Sequence, residues 1–205
     1  MINEFVSAIV QIIGFTLIPF LVFLIRKKSV KGFFAYMGLS KSTKKANYLA
    51  ILACLLFAMP MLVLTITSVE YKEIMLEPTS ITGKFRQMGL GIDSIFILLV
   101  IAVFKTSLAE EILFRGFIAK RLIAVLGYQK GNLLQACIFG IIHTALFSMI
   151  TSNMVFLIVI FIVPSIGAYV STYLNEKIGN GSIIPGWISH GLANILAYSF
   201  VGFVI

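Results

Sequence analysis

The chain has 205 residues, 60% of them hydrophobic and only 12% charged, with a mean hydropathy of +1.04. A water-soluble domain of this length has too little interior to hide that much apolar surface, so its solvent is chiefly lipid. The net charge of +8 invites a nucleic-acid reading, but the cations gather in connecting loops rather than along one face, so nucleic acid is not an expected partner.

Candidate spans cover residues 5–25, 47–68, 92–118, 131–150, 153–174 and 183–205, each long enough for a hydrocarbon core about 30 Å thick. The expected fold is all-α, a polytopic membrane bundle of about six transmembrane helices with any site inside it. Residues 1–205 then form a single transmembrane domain with no soluble domain. The first span does not read as a cleavable signal: its apolar run is too long, its leading segment carries Glu4 and no Lys or Arg, and no small-residue cleavage site follows.

Between the first two spans lie Arg26, Lys27, Lys28, Lys31, Lys41, Lys44 and Lys45, with no acidic residue among them. Val30 to Asn47 mixes Phe33, Phe34, Tyr36 and Met37 with these lysines, the composition of a segment lying in the headgroup region of an anionic leaflet. In loop 69–91, Lys72, Lys84 and Arg86 are balanced by Glu70, Glu73 and Glu77. Lys120, Arg121 and Lys130 flank a later connection, and Lys177 precedes the last span. If the three basic connections share one side, the positive-inside rule puts them in the cytoplasm and loop 69–91 with both termini outside. Span 92–118 contains Lys105, a point at which it could break. Pro19, Pro60 and Pro164 are expected to kink their helices, and Gly140, Gly167, Gly186, Gly191 and Gly202 to let backbones approach closely. Gly179 to Ser182 reads as a turn, with Pro185 in the first turn of the last helix. Cys54 and Cys137 read as small apolar residues.

Against this background a few polar residues stand out. Glu110 and Glu111 are adjacent within an apolar span, Arg115 follows, and both histidines of the chain, His143 and His190, lie within spans. A charged side chain at mid-bilayer costs about 2.5–3.5 kcal/mol on insertion scales, so several together point to a functional site. Glu110 and Glu111 precede Lys120 by roughly 15 Å of helix, and the histidines fall at roughly 10–20 Å from their own basic loops. Three helices thus present ionisable groups at one level, opening toward the cytoplasm. Glu111 and Arg115 share a helix face and can neutralise each other, whereas Glu110 is rotated about 100° away. Phe139 shares a face with His143, and His190 with Asn194.

Carboxylate with imidazole supports two chemistries. A Glu can act as general base on a water while His and Asn donors stabilise an oxyanion. Alternatively, His143, His190 and one of Glu110 or Glu111 supply the ligands of a catalytic zinc with an open position. Both lead to hydrolysis of an amide within the membrane. His-Glu-x-x-His, Gly-x-Gly-Asp and Gly-x-Ser-x-Gly are absent, and Asp93 is the only aspartate.

Glu110-Glu111-Ile-Leu-Phe-Arg115, Phe139-Gly-Ile-Ile-His143 and His190-Gly-Leu-Ala-Asn194 resemble, in order, the Glu-Glu-x-x-x-Arg, Phe-x-x-x-His and His-x-x-x-Asn motifs of the CPBP family. These are the CAAX prenyl proteases and bacteriocin-processing (Abi) membrane proteins. The resemblance covers about 105–200, and Ile184-Pro185-Gly186 also looks like the family. It implies that Glu110 with His143 activates water, that His190 and Asn194 stabilise the oxyanion, and that Glu111 with Arg115 holds the site in shape. It implies an intramembrane endopeptidase acting on a membrane-associated peptide or protein. The favoured mechanism has no cofactor; zinc is the alternative. Compact size and plain loops suggest a bacterial cell membrane, and in that setting the resemblance points to peptide maturation, leader removal or self-immunity against bacteriocins. The alternative function is a non-catalytic immunity or scaffold protein that binds a peptide in the same cavity. An ion or proton pathway ranks last, because the polar residues cluster at one level instead of crossing the bilayer. Nothing in the sequence sets an oligomeric state.

Overall fold

A computed structural model describes residues 2–205, helical almost throughout and without a strand among those residues. The helices are α1 (Ile2–Lys27), α2 (Phe33–Tyr36), α3 (Lys44–Thr67), α4 (Val69–Met75), α5 (Ile81–Met88), α6 (Ile92–Leu126), α7 (Tyr128–Phe147), α8 (Met154–Ile178) and α9 (Ile184–Val204). Six of them are long and follow the expected order. Five, α1, α3, α6, α8 and α9, are long and apolar enough to cross a membrane. The remaining long helix, α7, has Asn132 and Gln135 in its buried face. These two side chains donate to the carbonyls of Tyr169 and Ala168, at 3.1 Å each, and so bind α7 to α8.

Helix α6 does not break at Lys105, and it continues past 118 to Leu126. Its length is accommodated by two π-helical stretches, Val100–Leu108 and Glu111–Ala119. In such turns the N–H reaches back five residues and carbonyls become open to other donors. Here those donors are side chains: Thr106 Oγ1 to Ile101 O (2.9 Å), Ser107 Oγ to Ala102 O (2.5 Å) and Trp187 Nε1 of α9 to Val103 O (2.7 Å). Lys105 pairs with Glu4 of α1 at 2.8 Å. Gly127, at φ +76°, makes the single-residue corner into α7, a conformation that disfavours a side chain.

Helices α6 and α9 are the centre. α9 packs on α3 and α6, α7 packs on α8, and α1 lies outermost against α6. Ile9, Ile13, Leu17 and Leu21 recur every fourth residue on α1 with exposures of 43%, 58%, 49% and 46%. That is a lipid-facing stripe, since water would not tolerate it.

The basic connections meet at one end of the bundle. Ile183 N–H donates to Gly38 O (2.9 Å), Ser182 Oγ to Ser40 O (2.6 Å) and Thr43 Oγ1 to Ile178 O (2.8 Å). Lys120 reaches Glu176 (2.5 Å) and Gly181 O (2.7 Å), and Lys177 lies over the Tyr128 ring. Segment 30–47 departs from a freely lying interfacial strip: Phe33 and Met37 pack into a core with Phe23, Ile112 and Ile183, leaving Phe34 exposed among the lysines. Loop 69–91 also holds more structure than charge balance suggests. Ser68 and Ser80 cap α4 and α5, whose Tyr71 packs on Phe156 and Phe85 on Phe203. Polar and apolar residues are interspersed there, so the few inward-facing aromatics carry little periodic signal.

Candidate active site

The second π-helical stretch of α6 begins at Glu111, so the two glutamates sit where the helix widens. Glu111 is wholly buried and Arg115 nearly so. Arg115 Nε lies 3.2 Å from Glu111 Oε1, and the guanidinium also covers the Phe139 ring, 4.1 Å from its centroid. Burial of both charges is tolerable because each faces an opposite charge or a π face.

His190 of α9 stands between the two carboxylates. Its Nδ1 is 3.4 Å from Glu111 Oε1, and its Nε2 is 3.8 Å from Glu110 Oε2. Glu110 keeps a small part of its side chain accessible, 18%, as does His190 with 16%. Glu111 is therefore the anchored carboxylate and Glu110 the partly accessible one.

Phe139 connects α7 to this centre. Its ring lies edge-on to His190 at 6.2 Å and against His143 at 4.3 Å. His143 Nδ1 is 2.9 Å from the Phe139 carbonyl one turn back. A carbonyl can only accept, so that bond requires the proton on Nδ1 and leaves the Nε2 lone pair free. Asn194, one turn beyond His190, has its amide engaged on α6. Its Nδ2 donates to Thr106 Oγ1 (2.9 Å) and Ser107 Oγ (3.2 Å), the hydroxyls of the first π-helical stretch.

Several polar atoms here are buried without an aligned hydrogen-bond partner: Glu110 Oε2, both Glu111 oxygens, Arg115 Nε and Nη1, and His190 Nδ1. Buried polar groups nearly always find partners. The contacts are charge-pair distances, the looseness common at sites whose hydrogen bonds tighten around a reacting molecule.

The expected residues fall into two grades of contact. Glu110, Glu111, Arg115 and His190 converge directly; His143 joins through Phe139, and Asn194 joins through the α6 hydroxyls. For metal binding the candidate donors are His143, His190 and one of the glutamates. Among the described residues no three His, Cys, Asp or Glu side chains stand together as an ion would need. Of these donors, Glu111 faces Arg115 and His190 Nδ1.

Sequence reading missed Thr106, Ser107, Asn175 and the function of Gly186. Asn175 is fully buried and its Oδ1 accepts the Gly186 N–H at 2.8 Å. Gly186 does more than permit backbone approach: a Cβ there would stand 2.2 Å from Glu111 Oε2. Asn175 sits at the end of its span, beside Glu176 and Lys177, where a polar residue draws no attention.

A family model described as type II CAAX prenyl endopeptidase Rce1-like matches residues 92–196. The match begins with α6 and ends within α9, two residues past Asn194. No curated protein and no solved structure matches the chain.

Proposed function

This chain belongs to the type II CAAX prenyl endopeptidase Rce1-like family, a branch of the CPBP membrane endopeptidases, and on that premise we propose that it hydrolyses a peptide bond in a membrane-associated peptide or protein by a water activated at Glu110. The observation that carries the reading is the His190 imidazole set between one anchored and one accessible carboxylate.

In this mechanism Glu110, with the free Nε2 of His143, takes a proton from water as the hydroxyl bonds to the peptide carbonyl carbon. The carbonyl oxygen becomes an oxyanion and accepts hydrogen bonds from His190 and from Asn194, which turns one amide hydrogen away from Ser107. Donors aimed at that oxygen are worth about 2.7–4 kcal/mol each in comparable sites. Collapse of the tetrahedral intermediate breaks the C–N bond, and the proton held by Glu110 passes to the departing amine. Glu111 and Arg115 keep His190 in place. No step requires a metal, and the commitment of Glu111 to Arg115 and His190 favours this glutamate mechanism over zinc.

The cluster of Arg26, Lys27, Lys28, Lys31, Lys41, Lys44 and Lys45 favours a cytoplasmic position for the basic end, with the site opening toward it. The family's name directs the first substrate test to prenylated CAAX peptides, with small membrane peptides of the host as the second.

The test compares wild type with Glu110→Ala in proteoliposomes on a prenylated CAAX peptide, and in cells on processing of small membrane peptides. Wild type cleaves and Glu110→Ala does not; equal products from both would sink the reading and favour a binding or immunity role. Stoichiometric zinc in purified protein, lost together with activity in His143→Ala and restored by added metal, would replace the glutamate mechanism with a zinc one.

A further inference from the structure

Asn175 lies in the last, π-helical turn of α8, Leu174–Ile178, outside all three motifs. It is fully buried. The Gly186 N–H that it accepts at 2.8 Å is one of the first donors of α9, which have no partner within their own helix. An amide that accepts through Oδ1 presents its two hydrogens from Nδ2 on the opposite side. That Nδ2 has no aligned acceptor, and neither Glu111 oxygen has an aligned donor. The two unmatched groups converge: a Cβ on Gly186 would meet Glu111 Oε2 at 2.2 Å and Asn175 Nδ2 at 2.8 Å. Donor and acceptor thus lie over the same bare Cα, where any side chain would separate them.

We infer that Asn175 is a positioning residue that donates Nδ2–H to Glu111 Oε2 and thereby aims Glu111 Oε1 at His190 Nδ1. The inference rests on the proposed peptidase reading, in which His190 holds the oxyanion. The Glu111 carboxylate is then held on both oxygens, Oε2 by Asn175 and Oε1 by Arg115 and His190. A carboxylate free to rotate would still neutralise Arg115 but would lose its direction toward the imidazole. Outer groups that orient a working imidazole typically change activity by about 10–100-fold when removed. The connection also joins the start of α9, four residues before His190, to α6 through α8, so three helices agree on one carboxylate position.

A charge-reversed pair supplies the test. Asn175→Asp keeps the acceptor for Gly186 N–H but sets a carboxylate against Glu111. Glu111→Gln supplies an N–H that this new carboxylate can accept, while its carbonyl still faces His190. Asn175→Asp, Glu111→Gln and the double variant are compared with wild type in detergent melting and in cleavage of the prenylated CAAX peptide. The expected result is that each single change lowers kcat about 10–100-fold with KM little altered. The double variant should melt and cleave better than either single one.

A double variant that melts no better than the sum of its parts overturns the contact. A double variant with coupled melting but with Asn175→Asp at wild-type kcat overturns the positioning role and leaves a purely structural bond. If wild type itself leaves the peptide intact, the peptidase reading fails and the positioning role with it, while melting still decides the Asn175–Glu111 contact.

Discussion

Two of the ion pairs on helix α6 differ in almost every respect except their chemistry. Glu111–Arg115 is formed within the helix and has side-chain exposures of 0% and 3%; Glu4–Lys105 joins α6 to the outermost helix and keeps 29% and 21%. Around the first pair crowd His190, Phe139, Gly186 and Asn175, and several polar atoms lack aligned partners. The second pair is complete in itself, one ammonium on one carboxylate. A charge inside an apolar span is therefore not by itself the mark of a site. The mark is convergence: several helices bring polar groups to one place in excess of what mutual neutralisation needs.

The comparison breaks first at Arg115. Arg115→Ala leaves Glu111 as a buried charge, and Glu111→Ala leaves the guanidinium so; each should cost about 3–5 kcal/mol, read as a large fall in melting temperature or protein level. The double replacement should cost less than the two single ones added. Strictly additive losses would show that the two groups do not stabilise each other.

Gly186→Ala should come next. The added methyl meets the Glu111 carboxylate 2.2 Å away, so Glu111 must turn or α9 must shift, at about 1–3 kcal/mol for overpacking. Cleavage should fall further than melting alone accounts for, because the displaced carboxylate is the one beside His190. Wild-type melting and cleavage in this variant would mean that the space around Glu111 is slack.

Glu4→Gln and Lys105→Met should have the smallest effect. Polar contacts between membrane helices average about 0.6 kcal/mol in double-mutant cycles, and this pair is partly open. Its cycle should give a coupling of that size with cleavage unchanged. A coupling as large as that of Glu111 and Arg115 would erase the distinction drawn between the two pairs.

Much of this was legible in the chain. The long helices follow from apolar runs, because lipid leaves few other structures for the backbone. Glu110, Glu111, Arg115, His143 and His190 announce themselves because each is costly where it stands, and their spacing on three spans gives the convergence. Other features leave no such trace. Asn175 and Glu4 are polar residues near helix ends whose partners, Gly186 and Lys105, stand on other helices. Thr106 and Ser107 resemble ordinary small residues of a membrane helix until Asn194 is seen bonded to both. Gly186 reads as one packing glycine among several, since what it makes room for is a side chain of another helix. The widening of α6 is invisible for a similar reason: it depends on donors from α9 and from its own hydroxyls more than on local propensity.

That widening makes the helix a phase-setting device. A π turn holds more residues than an α turn, so a change that made Val100–Leu108 close as α at unchanged chain length would rotate everything beyond it by about 100°. Glu111 and Arg115 would turn together and keep their mutual spacing, while both would lose their bearing toward α9. The type of hydrogen-bond ladder in that stretch is thus coupled to the angular address of the glutamates. A change of ladder there would act at a distance on His190, even though every residue named in the site was still present.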